Sequence, residues 1–72
     1  MHDVAKLKSA IDESGMKLTA IASKMGITRY ALYLKVNGVT EFKISEVLKL
    51  AEILHLTDKQ RDTIFLPKKS TQ

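Results

Sequence analysis

The feature of this sequence that most constrains its fold is the position of its three glycines, each placed after a segment with helical periodicity. In the segments before Gly15, Gly26 and Gly38, apolar residues recur at helical spacing, so their side chains share one face of a helix. A glycine placed directly afterwards adopts the positive φ that ends a helix. The first half of the chain therefore predicts successive short helices, and no segment predicts a strand.

The whole pattern predicts five helices, four of them at about residues 3–14, 18–25, 29–37 and 44–54. Asp3 and Thr28 stand where an N-cap side chain is expected for the first and third helices. Thr57 has the capping-box spacing for a fifth helix, which Pro67 would end. Phe42, in the segment between the third and fourth helices, is expected to fill the core.

The length of 72 residues predicts one small core and one domain, over residues 1–66, followed by a flexible tail at 67–72. The chain has no cysteine, which excludes disulfides and thiolate metal sites. Its apolar runs are far shorter than the roughly 20 residues that span a bilayer. We therefore expect a protein of the cytoplasm with no membrane partner.

The net charge of +4 is concentrated in the middle of the chain. Residues 17–43 contain five lysines and arginines but a single acidic residue, Glu41. Such an excess is typical of a patch that binds a polyanion, because a bound polyanion releases its counterions. An ordinary solvated surface rich in lysine explains the same excess, so charge alone leaves both interpretations open.

Metal binding and catalysis find no support in the residue pattern. His2 and His55 are far apart in the sequence and have no cysteine partner. Acidic residues such as Asp58 and Asp62 fall at the spacing of solvent-facing helix positions. No glycine-rich phosphate loop or nucleophile elbow is present. We expect no enzyme activity, no catalytic residue, no metal, no cofactor and no small-molecule substrate.

The second and third predicted helices, with the short turn between them, form the most informative unit. Two short helices cross steeply only where the contact residue is small and the turn allows a positive φ, and Ala22 and Gly26 meet these needs. The start of the third helix then projects outward. The side chains expected to project are those of Thr28, Arg29, Tyr30 and Tyr33.

This unit resembles the phage-repressor and Cro-like helix-turn-helix family. The resemblance lies in residues 16–28, in Asn37-Gly38 and in residues 45–54, and it covers about residues 4–66. It implies an all-α, compact five-helix domain with a central helix-turn-helix at about residues 18–37. Residues 37–43 are also similar to small regulators of temperate phages, some of which bind DNA and at least one of which acts on a repressor protein.

The resemblance also implies which residues contact a partner. It assigns base reading to Thr28, Arg29, Tyr30 and Leu34, and phosphate contacts to Leu18, Asn37, Val39 and Lys43. To these we add Lys17 as a further phosphate contact and the projecting Tyr33. Leu18 and Leu34 depart from the family pattern, since apolar side chains make no such hydrogen bonds. Lys35 stands where the family buries an aliphatic residue, which suggests that Val36 takes that place and that the third helix is rotated or extended.

Two functions therefore remain open. The leading hypothesis is a Cro-like regulator of a temperate-phage lysis-lysogeny switch that binds operator DNA, within the cytoplasm of a bacterial host. The alternative is an antirepressor that binds the DNA-binding domain of a phage repressor through the same face. Leu48 and Ile53 lie off the main apolar stripe of the fourth helix, so under the DNA-binding hypothesis we also expect a homodimer, whereas an antirepressor could act as a monomer.

Overall fold

The computed structural model describes residues 2–66, which form an all-helical and compact domain. Its helices are α1 (Val4–Ser14), α2 (Leu18–Met25), α3 (Arg29–Val36), α4 (Ile44–Ile53) and α5 (Asp58–Phe65), with no strand among the described residues. The predicted helix bounds agree with these to within one residue where both ends were given. The predicted tail at 67–72, including the stop at Pro67, lies outside the described residues.

The helix ends follow from the capping residues that the sequence indicated. Oδ1 of Asp3 accepts a hydrogen bond from the backbone N–H of Lys6 at 3.0 Å. Thr57 Oγ1 accepts from the N–H of Gln60, whose side chain accepts in return from the N–H of Thr57. Gly15 ends α1 with φ of 73°. These contacts confirm the predicted caps, which satisfy N–H groups that a helix leaves free.

The core lies where α2 packs against α3 and α4, and where α1 packs against α3 and α5. Its buried side chains are those of Leu7, Ile11, Ile21, Ala22, Leu32, Val36, Leu50, Leu54 and Ile64. Phe42 packs against this cluster, as expected, and so do Met16 and Met25. Leu48 stays more than half exposed, whereas Ile53 packs against the core. Ile44, one turn before Leu48 on α4, is also exposed, so the helix does present surplus apolar side chains, and the dimer stays a prediction.

His2 is a core residue that the sequence did not indicate. Its side chain is buried, and its Nε2 lies 2.9 Å from the carbonyl oxygen of Val36 at the end of α3. Its ring contacts those of Phe42 and Phe65. His2 lies outside the helical periodicity that marks the other core residues, and only the folded neighbourhood reveals this contact.

Among the helices of residues 2–66, none combines the length and the apolar character that crossing a membrane requires. The longest, α1, has 11 residues. A spanning helix needs about 20.

Candidate functional site

The connection between α2 and α3 sets where α3 begins. Gly26 ends α2 with φ of 75°, and its N–H donates back into the last turn of the helix. The N–H of Ile27 donates to the carbonyl of Ala22 at 3.1 Å, while its side chain packs against the core. Thr28 then caps α3, because its Oγ1 accepts from the N–H of Ala31 at 3.0 Å. Gly26 therefore ends α2, Ile27 anchors the turn to the core, and Thr28 caps the start of α3.

The predicted contact residues lie on and around these two helices. We call them together the α2–α3 surface, which consists of Lys17, Leu18, Thr28, Arg29, Tyr30, Tyr33, Leu34, Asn37, Val39 and Lys43. Lys17 precedes α2, and Lys43 immediately precedes α4. Asn37 and Val39 belong to the segment that joins α3 to α4.

The α2–α3 surface exposes three large hydrophobic side chains, those of Tyr30, Tyr33 and Val39. Tyr30 is 65% exposed and Tyr33 is 47% exposed. Their rings stack with centroids 6.4 Å apart and planes inclined by 17°, as residues three apart on one helix face can do. Val39 is 69% exposed. The surface therefore presents a tyrosine pair and an exposed aliphatic side chain.

Several polar groups near this surface already make hydrogen bonds within the protein. The Thr28 hydroxyl accepts from the N–H of Ala31, and the Asn37 amide nitrogen donates to the carbonyl of Tyr33 at 2.9 Å. Nζ of Lys35 lies 3.2 Å from a carboxylate oxygen of Glu46. Among the described residues, the polar side chains of this surface that make no such bond are those of the two tyrosines and the cations.

The exposed cations of the α2–α3 surface are Lys17, Arg29 and Lys43. Within residues 2–66, the side-chain ion pairs involve other cations, Lys35 and Arg61. The family pattern led us to expect a buried aliphatic residue at position 35. The buried residue is instead Val36, one position later, and Lys35 pairs with Glu46 of α4. The three exposed cations form no ion pair with another described residue and can attract an anionic partner.

Leu18 and Leu34 are less exposed than the sequence suggested. Leu18 is half-buried and packs against the core, because it precedes Ile21 and Ala22 by one turn and shares their helix face. Leu34 is also half-buried. Of the aliphatic side chains on this surface, Val39 is therefore the exposed one.

The structure brings Leu18, Tyr33 and Asn37 together at a shallow cleft of about 230 Å³ between α1 and α3. Two charged side chains of α1, those of Lys8 and Asp12, line the same cleft and were missing from the predicted site. Lys8 and Asp12 lie one helical turn apart, next to the buried positions Leu7 and Ile11 of α1. This spacing is the sequence signal that could have placed them together on one side of the helix. Which other helix lies beside that face depends on tertiary packing.

A further observation concerns metal binding. Across residues 2–66, no group of three or more histidine, cysteine or acidic side chains is arranged to hold a metal ion.

Comparison with models of known protein families and with curated protein sequences finds no match to this chain. The family resemblance and the roles that it assigns to individual residues stay predictions.

Proposed function

We propose that this protein is a helix-turn-helix regulator of a temperate-phage genetic switch that binds a repressor protein through its α2–α3 surface. In this proposal it acts as an antirepressor, since the bound repressor domain loses its access to DNA. The observation that carries the proposal is the exposure of Tyr30, Tyr33 and Val39 on this surface. The helix-turn-helix assignment itself rests on the sequence resemblance.

Exposed tyrosines favour a protein partner for an energetic reason. A tyrosine ring brings a large apolar area at a low cost in side-chain entropy, and tyrosine is enriched among the residues that dominate binding energy at protein interfaces. Base reading instead needs polar side chains that face the groove. Of the four residues assigned to base reading, Leu34 is apolar and the hydroxyl of Thr28 accepts from the N–H of Ala31, which reduces the set of groups for that task.

Operator DNA is the second candidate, and a separate observation favours it. Lys17, Arg29 and Lys43 are exposed cations of the kind that neutralise phosphates. Among the described residues, no side chain caps the N-terminus of α2, which leaves its first N–H groups open to a phosphate oxygen. The two lysines and the N-terminus of α2 account for affinity to DNA in general, whereas a preference between sequences would depend on Arg29.

A gel-shift experiment separates the two candidates. Switch-region DNA is titrated with this protein alone, with the repressor of the same switch alone, and with both together. The proposal expects no shift by this protein alone and loss of the repressor's shift when both are present. A shift by this protein alone that sharpens on operator sequence would contradict the proposal and support Cro-like binding.

The same experiment needs a variant that changes the surface but leaves the fold intact. Tyr30→Ala removes an exposed ring, so it should leave folding unchanged and should weaken the inhibition of the repressor. Leu48→Ala is the matched control, because Leu48 is also an exposed apolar residue but lies on α4 outside the α2–α3 surface. Equal effects of the two variants would count against the α2–α3 surface as the binding site.

A further inference from the structure

The C-terminus of α3 has a complete set of hydrogen-bond partners. An α-helix leaves its last carbonyl groups without intrahelical donors, and buried carbonyls need partners from elsewhere. Backbone N–H groups of the following residues supply three of them at α3: Tyr33 accepts from Asn37, Leu34 from Val39 and Lys35 from Gly38. The fourth carbonyl, that of Val36, accepts from the side chain of His2 at 2.9 Å.

This fourth bond differs from the others in its origin. His2 lies 34 positions from Val36 in the sequence, and the bond is buried. Because a carbonyl oxygen only accepts, the Nε2 atom of His2 carries the hydrogen. Because the bond is buried, loss of this side chain would leave the Val36 carbonyl without its donor from the protein, at a cost in stability.

The ring of His2 also contacts the other end of the α3–α4 connection. Its centroid lies 5.2 Å from that of Phe42 in an edge-on arrangement and 5.8 Å from that of Phe65. Phe42 and Phe65 meet edge to face at 5.5 Å, which closes a cluster of three rings. The N–H of Asp3 donates to the carbonyl of Ile64 at 2.7 Å and fixes the chain beside His2 on α5.

His2 therefore contacts the chain at both ends of segment 37–43: Val36 directly precedes the segment, and Phe42 lies near its end. The same segment contains three members of the α2–α3 surface, namely Asn37, Val39 and Lys43. We propose that His2 is a positioning residue, which fixes segment 37–43 through its hydrogen bond to Val36 and thereby shapes the edge of the α2–α3 surface. Only the effect on partner binding rests on the proposed function.

Two substitutions separate the hydrogen bond from the ring contacts. His2→Phe keeps a ring but removes the N–H donor. His2→Gln keeps an amide N–H at the same number of bonds from the backbone but removes the ring. Amide hydrogen exchange and ¹H–¹⁵N spectra of the full chain then report each position, without any partner. His55→Asn, a change at an exposed histidine outside the cluster, is the control.

In His2→Phe, we expect exchange of the Gly38 and Val39 amides to accelerate by at least about fivefold, as the loss of one buried hydrogen bond implies. Amides in the middle of α2, such as that of Ile21, should keep their rates, and His2→Gln should stay within about twofold of the parent protein. Unchanged rates at Gly38 and Val39 in His2→Phe, or equal acceleration in both variants, would overturn the proposal.

A measurement on the parent protein covers the case in which His2→Phe does not fold. The Hε2 proton of His2 should be protected from solvent and should show a scalar coupling to the Val36 carbonyl across the hydrogen bond. A freely exchanging Hε2 proton would overturn the proposal.

The binding arm uses the repressor titration described above. If the parent protein does not affect the repressor, the proposed function fails while the exchange result still stands. If the parent protein inhibits the repressor, His2→Phe should weaken this inhibition more than His2→Gln. Equal inhibition by the parent protein and by a folded His2→Phe would overturn the link between His2 and the surface.

Discussion

Lys35 Nζ lies 3.2 Å from Glu46 Oε1, and this ion pair joins the last turn of α3 to the first turn of α4. Both side chains are mostly buried, with exposures of 16% and 17%. The same Glu46 oxygen accepts from the backbone N–H of Lys43 at 2.8 Å, and Lys35 also donates to the carbonyl of Glu41 at 3.1 Å. One carboxylate thus caps α4 and holds it against α3, on either side of segment 37–43.

This ion pair should make stability depend on pH. The backbone hydrogen bond from Lys43, assisted by Lys35, lowers the pKa of Glu46 below its usual 4.5. A carboxyl whose folded pKa is lowered contributes stability above its unfolded pKa, and that contribution disappears as pH falls through the folded value. We expect urea midpoints to fall on acidification below 4.5, with a smaller fall in Glu46→Gln than in the parent protein.

Glu52→Gln is the control for this pH dependence, because Glu52 is exposed and forms no ion pair with the other described residues. Its acid-induced loss of stability should match that of the parent protein. A parent protein whose urea midpoint is constant from neutral pH to below 4.5 would contradict the role of Glu46.

Ala22→Leu should destabilise the domain by about 1–3 kcal/mol, because a larger side chain must enter a well-packed core. Ala22 is 2% exposed on the helix that packs against both α3 and α4. The measurement is the free energy of unfolding in urea. Ala20→Leu adds the same atoms at an exposed position of α2 and should change stability little. Equal stability of the two variants would mean that the space around Ala22 accommodates a leucine.

Tyr33→Ala should reduce the affinity for the repressor at least about tenfold, or ~1.4 kcal/mol, if the tyrosine pair anchors that interface. Its ring stacks on that of Tyr30 and lines the cleft between α1 and α3. Calorimetric titration of the repressor domain measures the loss. Thr63→Ala, at an exposed position of α5, should bind like the parent protein. Undiminished affinity in Tyr33→Ala would argue against the tyrosines as anchors.

If the protein binds operator DNA, we expect substitution of its exposed cations to weaken DNA binding. Arg29→Ala should weaken binding by ~1–3 kcal/mol and relax the preference at one base position, since arginine reads base edges. Lys43→Ala should weaken all sequences alike and reduce the slope of affinity against salt by about one unit. Lys59→Ala, on α5, is the control. Affinity that does not depend on salt concentration would exclude phosphate binding by these residues.

His55→Gly offers a test of backbone strain that is independent of function. His55 has φ of 57° after the end of α4, a conformation that favours glycine. We expect the variant to be more stable by up to about 1 kcal/mol, reduced by the greater freedom of glycine in the unfolded chain. Thermal unfolding measures the change. A lower melting temperature would show that contacts of the His55 side chain outweigh the strain.

Much of the fold follows from local rules that can be applied to the sequence. Helix ends depend on residues next to one another, which is why Asp3, Thr57 and Gly26 marked them correctly. The core face of each helix depends on spacing alone, and Ile21 and Leu32 accordingly lie at the buried positions. The exposed start of α3, with Tyr30, was predictable for the same reason.

Tertiary structure alone decided the contacts between residues far apart in the chain. The family resemblance led us to expect an aliphatic residue at the position of Lys35, but the pairing of Lys35 with Glu46 depends on how α4 lies against α3. The role of His2 is a stronger example, because its hydrogen bond to Val36 joins residues 34 positions apart. Local propensity and periodicity extend over one or two helical turns, so they contain no information about which distant groups meet. Burial makes these contacts matter, because a polar group that leaves water must find its partner within the fold.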